Sequence, residues 1–318
     1  MNDIWPIVSS VIGVFLVIMI GAFCRHRHWL SQSADRSLAS LAANVLMPAL
    51  FVDRILSGSP MADPSVAWMP PVFGFALTAT GFLIGLAIAK TIGPAIGLDS
   101  DIKQRSFALC VGICNYGYIP LPLAEQFYPQ AVVELILHNV GVELALWSVG
   151  SAVVGGGSGS TWRRALLNPP LIAVVISLLC KQLVPAESLP SPLLKVAMML
   201  GNCAIPMGLL LSGALIVDYL READWRGSTR IILAAIGVRQ VIMPMLMLAA
   251  ASAVTISTDL SHVMMLEAAM PAAVFPIVLV RLYERDTDTA LRVVLSTSLA
   301  AIVLIPFWLA VGKWWLGV

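Results

Sequence analysis

Two short strings set polar and helix-breaking residues in stretches that are otherwise apolar. One is Asn115-Tyr116-Gly117-Tyr118-Ile119-Pro120; the other is Met270-Pro271-Ala272-Ala273-Val274-Phe275-Pro276. A proline in the first turn of a helix forfeits a donor that had no partner anyway. Pro120 and Pro276 can therefore each open a second half-helix. Two half-helix N-termini that meet in a low-dielectric setting, each with roughly half a positive charge, favour an anion. Their attraction is only ~0.3–2 kcal/mol each, too little to offset desolvation of a carboxylate. Side-chain donors, Asn115 first among them, or water must contribute. The chemistry implied is reversible binding. No phosphate-cradling glycine loop, His-Glu-x-x-His string or nucleophile–base spacing argues for an enzyme.

Other polar residues stand in apolar runs. Arg239 lies in "GVRQVIMP" beside Gln240. An arginine at the bilayer centre costs ~2.5–3.5 kcal/mol on insertion scales, so Arg239 needs a partner or a cavity. The candidate partners are Glu143 in "GVELALW" and Glu267 in "LEAAMP". An anion or proton-coupling site and a structural ion pair are both open readings. Glu134 and His138 are four apart; His138 could sense protons, and an interfacial cap or solvated pair is the plainer reading. Asp53-Arg54 reads as a self-neutralising, snorkelling pair. Asn44 and Asn202 either line a substrate path or satisfy backbone groups freed by Pro48 and Pro206. The cysteines at 24, 110, 114, 180 and 203 show no metal or disulfide pattern, and Cys110 and Cys114 read as packing residues. No cofactor or metal is expected.

These residues need elements to hold them, and composition says which. Of 318 residues, 59% are hydrophobic and 12% charged, about half the charge of a soluble domain. Ten apolar segments can be marked: 5–24, 36–56, 66–89, 104–123, 131–154, 168–184, 194–217, 228–253, 260–282 and 289–312. Each is near the ~20 residues that span the hydrocarbon core. The expected fold class is an all-α polytopic membrane protein with ten transmembrane helices. "MNDIWPIVSS" lacks a basic leader, so the first segment is expected to remain. Arginines and lysines crowd alternate loops, such as Arg25 and Arg27, Arg163 and Arg164, and Arg281 and Arg285. That asymmetry places both termini outside the inner membrane. Trp5, Trp29, Trp68, Trp162, Trp308, Trp314 and Trp315 suit interfacial belts.

"VVGGGSGSTWRR" is the flexible joint near mid-chain. It divides a first repeat, 1–154, from a second, 168–318, with a cytoplasmic linker at 155–167. Five segments is an odd number, so the repeats are inverted. Asn44-x-x-x-Pro48 matches Asn202-x-x-x-Pro206 at an offset of 158, and Pro120 matches Pro276 at 156. Interrupted helices at corresponding repeat positions are the best sequence pointer to a transporter's binding site.

"NVLMPALFV", "CNYGYIPLPLAEQFY" and "EAAMPAAVFPIVLVRLYERDTDTALRVVLSTSLAAIVLIPFW" resemble the auxin efflux carrier (PIN-like) family of membrane transporters, in its bacterial short-loop form. The resemblance covers essentially the whole chain and is most specific in the last string. It implies a crossover of broken helices 4 and 9 at Asn115, Pro120, Pro271 and Pro276. It also implies a scaffold of helices 1, 2, 6 and 7, a mobile transport domain of helices 3–5 and 8–10, elevator-type movement, and a homodimer through the scaffold. Two departures matter. The linker is too short for loop phosphorylation control, and "AAVF" offers no polar side chain, so substrate hydrogen bonds come mainly from the helix 4 side and auxin itself is a poor match. The function expected is carriage of a small organic anion, with H+ or Na+ as possible partners and nucleic acid as none. A sodium-coupled symporter of bile-acid type and a non-transporting membrane sensor or scaffold are the alternatives.

Overall fold

The computed structural model describes residues 4–58, 64–156, 168–185, 188–223, 225, 229–254 and 256–318. Most of the linker expected at 155–167, Trp162 included, lies outside the described residues. The helices in chain order are α1 (Ile4–His26), α2 (Gln32–Leu41), α3 (Met47–Ser57), α4 (Met69–Thr91), α5 (Gly93–Ile96), α6 (Asp101–Gly112), α7 (Pro120–Phe127) and α8 (Val132–Ala145). They continue with α9 (Ser151–Gly155), α10 (Pro169–Leu183), α11 (Ser191–Glu222), α12 (Thr229–Gly237), α13 (Met243–Ala253), α14 (Thr258–Ala269), α15 (Pro276–Leu282) and α16 (Thr287–Leu316).

Seven helices among the described residues are long and apolar enough to cross a membrane, and Pro169–Leu183 is a shorter apolar one. Three spans are welded from two α-helices by a π-helical turn, at Ala42–Leu46, Leu146–Gly150 and Val238–Ile242. Pro48 and Pro244 are the second residues of the α-helices that follow two of these turns. A proline ring collides with the carbonyl four residues back, and the wider π turn relieves that collision. The chain therefore passes both prolines without ending the span. The chain's outer faces are apolar: α1 exposes Leu16, Met19, Ile20 and Phe23, and α10 exposes Val175, Ile176 and Leu179. Such faces suit lipid.

Two sets of helices pack tightly. α1 lies along α11, and α3 lies between α10 and α11. α4 packs on both α6 and α8, while α16 packs on α12 and α14. Lipid offers no hydrophobic drive between helices, so close backbone approach at small residues does the work. A Cβ placed on Gly141 of α8 would come within 1.9 Å of the Pro71 carbonyl, and one on Gly74 within 2.1 Å of the His138 carbonyl. Ends are fixed by polar contacts. The Ser100, Ser257 and Asp286 side chains accept from backbone amides at the starts of α6, α14 and α16. The Arg105 and Arg285 guanidiniums donate to the Val153 and Val154 carbonyls, each at 2.7 Å, at the end of α9. Asp101 takes hydrogen bonds from Lys90 and Arg105, which hold its carboxyl down at about 2.

Gly141→Ala is expected to destabilise the α4–α8 contact by ~1–3 kcal/mol through overpacking. Gly13→Ala, where an added Cβ meets nothing within 4 Å, is the matched control. Thermal unfolding of the two variants in one detergent checks this; equal melting temperatures would contradict the packing described.

Candidate functional site

Neither broken helix of the sequence analysis crosses as one piece. α6 stops at Gly112 and Pro120 opens α7; α14 stops at Ala269 and Pro276 opens α15. Met270 is extended (φ −76°, ψ 142°), as a residue before proline must be. The two interruptions are joined to each other. Cys114 and Ala272 form an isolated antiparallel bridge. The Asn115 amide donates to the Pro271 carbonyl at 2.7 Å, and the Ala273 amide to the Ile113 carbonyl at 3.1 Å.

Remaining backbone groups at the crossing take side-chain partners. The Ala272 amide donates to Thr297 Oγ1 (3.2 Å). Asn139 Nδ2 donates to the Tyr116 carbonyl (2.6 Å), and Arg239 Nε to the Met270 carbonyl (3.2 Å). Gln240 Nε2 donates to the Thr297 carbonyl at 3.4 Å, so Gln240 reaches the crossing through Thr297. The Gln240 carbonyl, four residues before Pro244, accepts from Trp308 Nε1 at 2.7 Å. A tryptophan thus replaces the donor that proline removed.

The bridge is extended, so neighbouring side chains alternate. Cys114 points inward, and its thiol donates to Glu267 Oε2 at 2.9 Å. Glu267 is wholly buried, and its Oε1 has no hydrogen-bond partner among the described residues. Arg239 is 1% exposed, and among the described residues it forms no salt bridge. Its second contact is from Nη2 to the Met247 sulfur at 3.9 Å. A guanidinium has five N–H donors, so most are left without an acceptor among the described residues. Arg239, Cys114, His138 and Thr78 border a cavity of about 10 Å³, room for about one water.

The other side of the crossing is more open. Asn115, Tyr116, Gly117 and Tyr118 are partly exposed, and a Cβ on Gly117 would meet nothing within 4 Å. The Tyr118 ring lies on Gly208 of α11, where a Cβ would come within 1.9 Å of it. Tyr116 Oη donates to Glu143 Oε1 (2.6 Å), and Trp147 Nε1 donates to Glu143 Oε2 (2.9 Å). Phe275 is 43% exposed and meets Trp147 edge-on, with centroids 6.0 Å apart.

Several expectations change. Glu143 is held by Tyr116 and Trp147, away from any salt bridge with Arg239. Cys114 is a hydrogen-bond donor to Glu267 as well as a packing residue. His138 is buried against the small cavity, and Glu134 is buried and accepts from Ser257 Oγ; neither is a solvated interfacial group. Trp308 is buried rather than interfacial. Asn44 bonds back to Ser40, and Asn202 accepts from Arg54 at 3.2 Å. Neither bond involves the crossing. Arg54 pairs with Asp53 as expected, and also with Glu125 of α7 at 2.7 Å. The α15 amides at 277 and 278 are closed onto the 274 and 275 carbonyls, which weakens that N-terminus as an anion site. Asn139, Thr297 and Trp147 were not foreseen, although "HNVGVE" does flag a polar residue within an apolar run.

Apolar spans wrapped around a buried, charged crossing define a polytopic integral membrane protein. The chain belongs to the membrane transport protein family, the auxin efflux carrier family that its motifs resemble: the family model matches residues 6–154 and 158–309. An uncharacterized transporter of Methanothermobacter thermautotrophicus is 25% identical over 307 residues, covering 94% of this chain and 96% of the relative. An uncharacterized transporter of Methanocaldococcus jannaschii is 22% identical over 309 residues, with the same coverage.

Trp308→Phe is expected to cost ~1–3 kcal/mol by leaving the Gln240 carbonyl without its donor. Pro244→Ala restores a backbone donor, so the same change should cost much less in that background. A double-mutant cycle on thermal stability measures the difference; additive effects would remove the compensating role assigned to Trp308.

Proposed function

We propose that this membrane transport protein is a carrier of a small organic anion, a mono- or dicarboxylate, with the crossing of the two interrupted helices as its binding site. The observation that carries this reading is Arg239: a buried cation, without an ion pair among the described residues, bonded to the backbone of the crossing itself. Its field acts in a low-dielectric setting, where charges interact far more strongly than in water. On the accessible face, Asn115 supplies an amide with no hydrogen bond to any described side chain, Gly117 supplies space, and Phe275 supplies an apolar wall. A substrate with one carboxylate and a modest apolar body matches these features.

In this reading the chain crosses the inner membrane ten times, with both termini outside, as two inverted five-helix repeats. Helices α1–α3, α10 and α11 form a scaffold that pairs with a second copy. The remainder moves against it as an elevator. Two ion pairs support that division. Arg54 of α3 holds Glu125 of α7 at 2.7 Å, and Glu222 of α11 holds Arg281 of α15 at 2.7 Å. Glu125 and Arg281 each stand five residues after the proline that opens their half-helix, and they are 156 residues apart, the offset of Pro120 from Pro276. Each pair ties a second half-helix to the neighbouring scaffold helix, with the charges exchanged. Movement must open both.

One observation favours a sodium-coupled version of the carrier. Asn139 Oδ1, Gln240 Oε1 and Glu267 Oε1 are buried oxygens without hydrogen-bond partners among the described residues. Replacement of sodium by N-methylglucamine separates the two readings: loss of transport supports sodium coupling.

Small carboxylates are expected to compete for counterflow in proteoliposomes, while their methyl esters and amides do not. Asn115→Ala should abolish that counterflow and leave expression and oligomeric state intact. Equal competition by acid and ester would reject the anion site. Glu125→Gln and Glu222→Gln each remove a partly exposed ion pair worth ~0.2–1 kcal/mol, so counterflow should quicken by up to about fivefold. Unchanged or slower exchange would mean that these pairs do not restrain movement.

A further inference from the structure

The anion reading leaves Glu267 without a task. Its carboxyl is fully buried, one oxygen accepts from the Cys114 thiol, and the other has no hydrogen-bond partner among the described residues. An ionised carboxylate in that state is costly unless a cation compensates it. The cation at the same crossing is Arg239, which holds the carbonyl of Met270, three residues after Glu267, and lines the small cavity together with Cys114, the donor to Glu267. Among the described residues, no charged side chain is hydrogen-bonded or ion-paired to Glu267. α13 carries no charged residue. On α8, Glu134 is bonded to Ser257 at the start of α14, His138 faces the small cavity, and Glu143 is held by Tyr116 and Trp147. Tyr128 stacks on His262 near the start of α14. Glu125 of α7 is paired with Arg54. On α16 the charged residues are confined to its two ends, and its buried midsection offers Thr297 to the crossing.

We propose that Glu267 is a proton site coupled to anion binding, which makes the carrier a proton–anion symporter. This deepens the anion reading and rests on it. With Glu267 ionised, its charge cancels that of Arg239 and the crossing is neutral. With a proton on Oε1, the charge of Arg239 is uncompensated and draws an anion to the Asn115 face. The step is a simple protonation: one O–H bond forms at the oxygen that lacks a partner, the thiol contact to Oε2 is kept, and nothing is oxidised or reduced. A monoanion and its proton then travel together without net charge. The small cavity bordered by Arg239, Cys114 and His138 gives a water, and hence a proton, a place beside the cluster.

Isothermal titration of the purified full chain tests this, with propionate, malonate and benzoate as probes. Each titration is run in Tris and in HEPES, whose different protonation heats count protons taken up. Wild-type protein should take up about one proton per anion above the titration of Glu267, and binding should weaken about tenfold per pH unit there. Glu267→Gln, isosteric and permanently uncharged, should bind the same probe with no proton uptake and no pH dependence over that range. Anion binding by wild type without proton uptake would overturn the proposal and leave the anion site standing. Uptake that persists in Glu267→Gln and vanishes in Glu143→Gln would also overturn it, by moving the proton to Glu143. Affinity set by sodium rather than pH would overturn it in favour of a cation site. Failure of all three probes to bind would remove the anion reading itself, and this inference with it.

Discussion

Backbone polar groups inside a membrane must find partners within the protein, and two segments of this chain give up their helical partners at the same place. Everything distinctive in the structure answers that constraint. The interruptions after Gly112 and Ala269 satisfy each other through the Cys114–Ala272 bridge and the amides of Asn115 and Ala273. What they cannot supply comes from Thr297, Asn139 and Arg239. Pro244, five residues after Arg239, raises the same difficulty one helix away, and Trp308 resolves it. Helices α8, α12, α13 and α16 are thereby tied to the crossing by hydrogen bonds as well as by packing.

The electrostatics follow from the same arrangement. Arg239 terminates α14 by holding the Met270 carbonyl, a favourable place for a cation at a helix C-terminus, and this accounts for an arginine in so apolar a setting. Because a carbonyl rather than a carboxylate holds it, its charge is not cancelled by its own structural role. Glu267, three residues before Met270, has one oxygen unmatched among the described residues. The crossing thus has a buried side that carries charge, while Asn115, Gly117 and Phe275 at its ends are partly exposed. A carrier needs binding that is favourable enough to load and weak enough to unload, and a charge held behind the backbone rather than in contact suits that demand.

Much of this was legible in the sequence because the signals were punctuation. Pro120 and Pro276 marked the starts of α7 and α15, and the apolar runs marked their spans to within a few residues. Arg239 and Glu267 were conspicuous as charges in apolar strings. What was illegible is partnership across the fold. Nothing in "GVELALW" says that Glu143 is held by a tyrosine 27 residues earlier, and Cys114 looks like any small apolar residue until Glu267 stands beside it. Trp308 has the composition of an interfacial anchor, yet its indole is committed to a carbonyl freed by a proline 64 residues away. Composition fixes the environment of a residue on average; the broken helices decide which buried polar group needs which donor.

The central claim is that the crossing is where a carboxylate binds. The most direct measurement is a structure of the protein with 3-bromopropionate, with the bromine located by its anomalous scattering. The account predicts a bromine peak on the face formed by Asn115, Gly117 and Phe275, with the carboxylate directed at the crossing and Arg239 behind it. A peak elsewhere in the protein, with that face vacant under conditions in which the compound is transported, would contradict it.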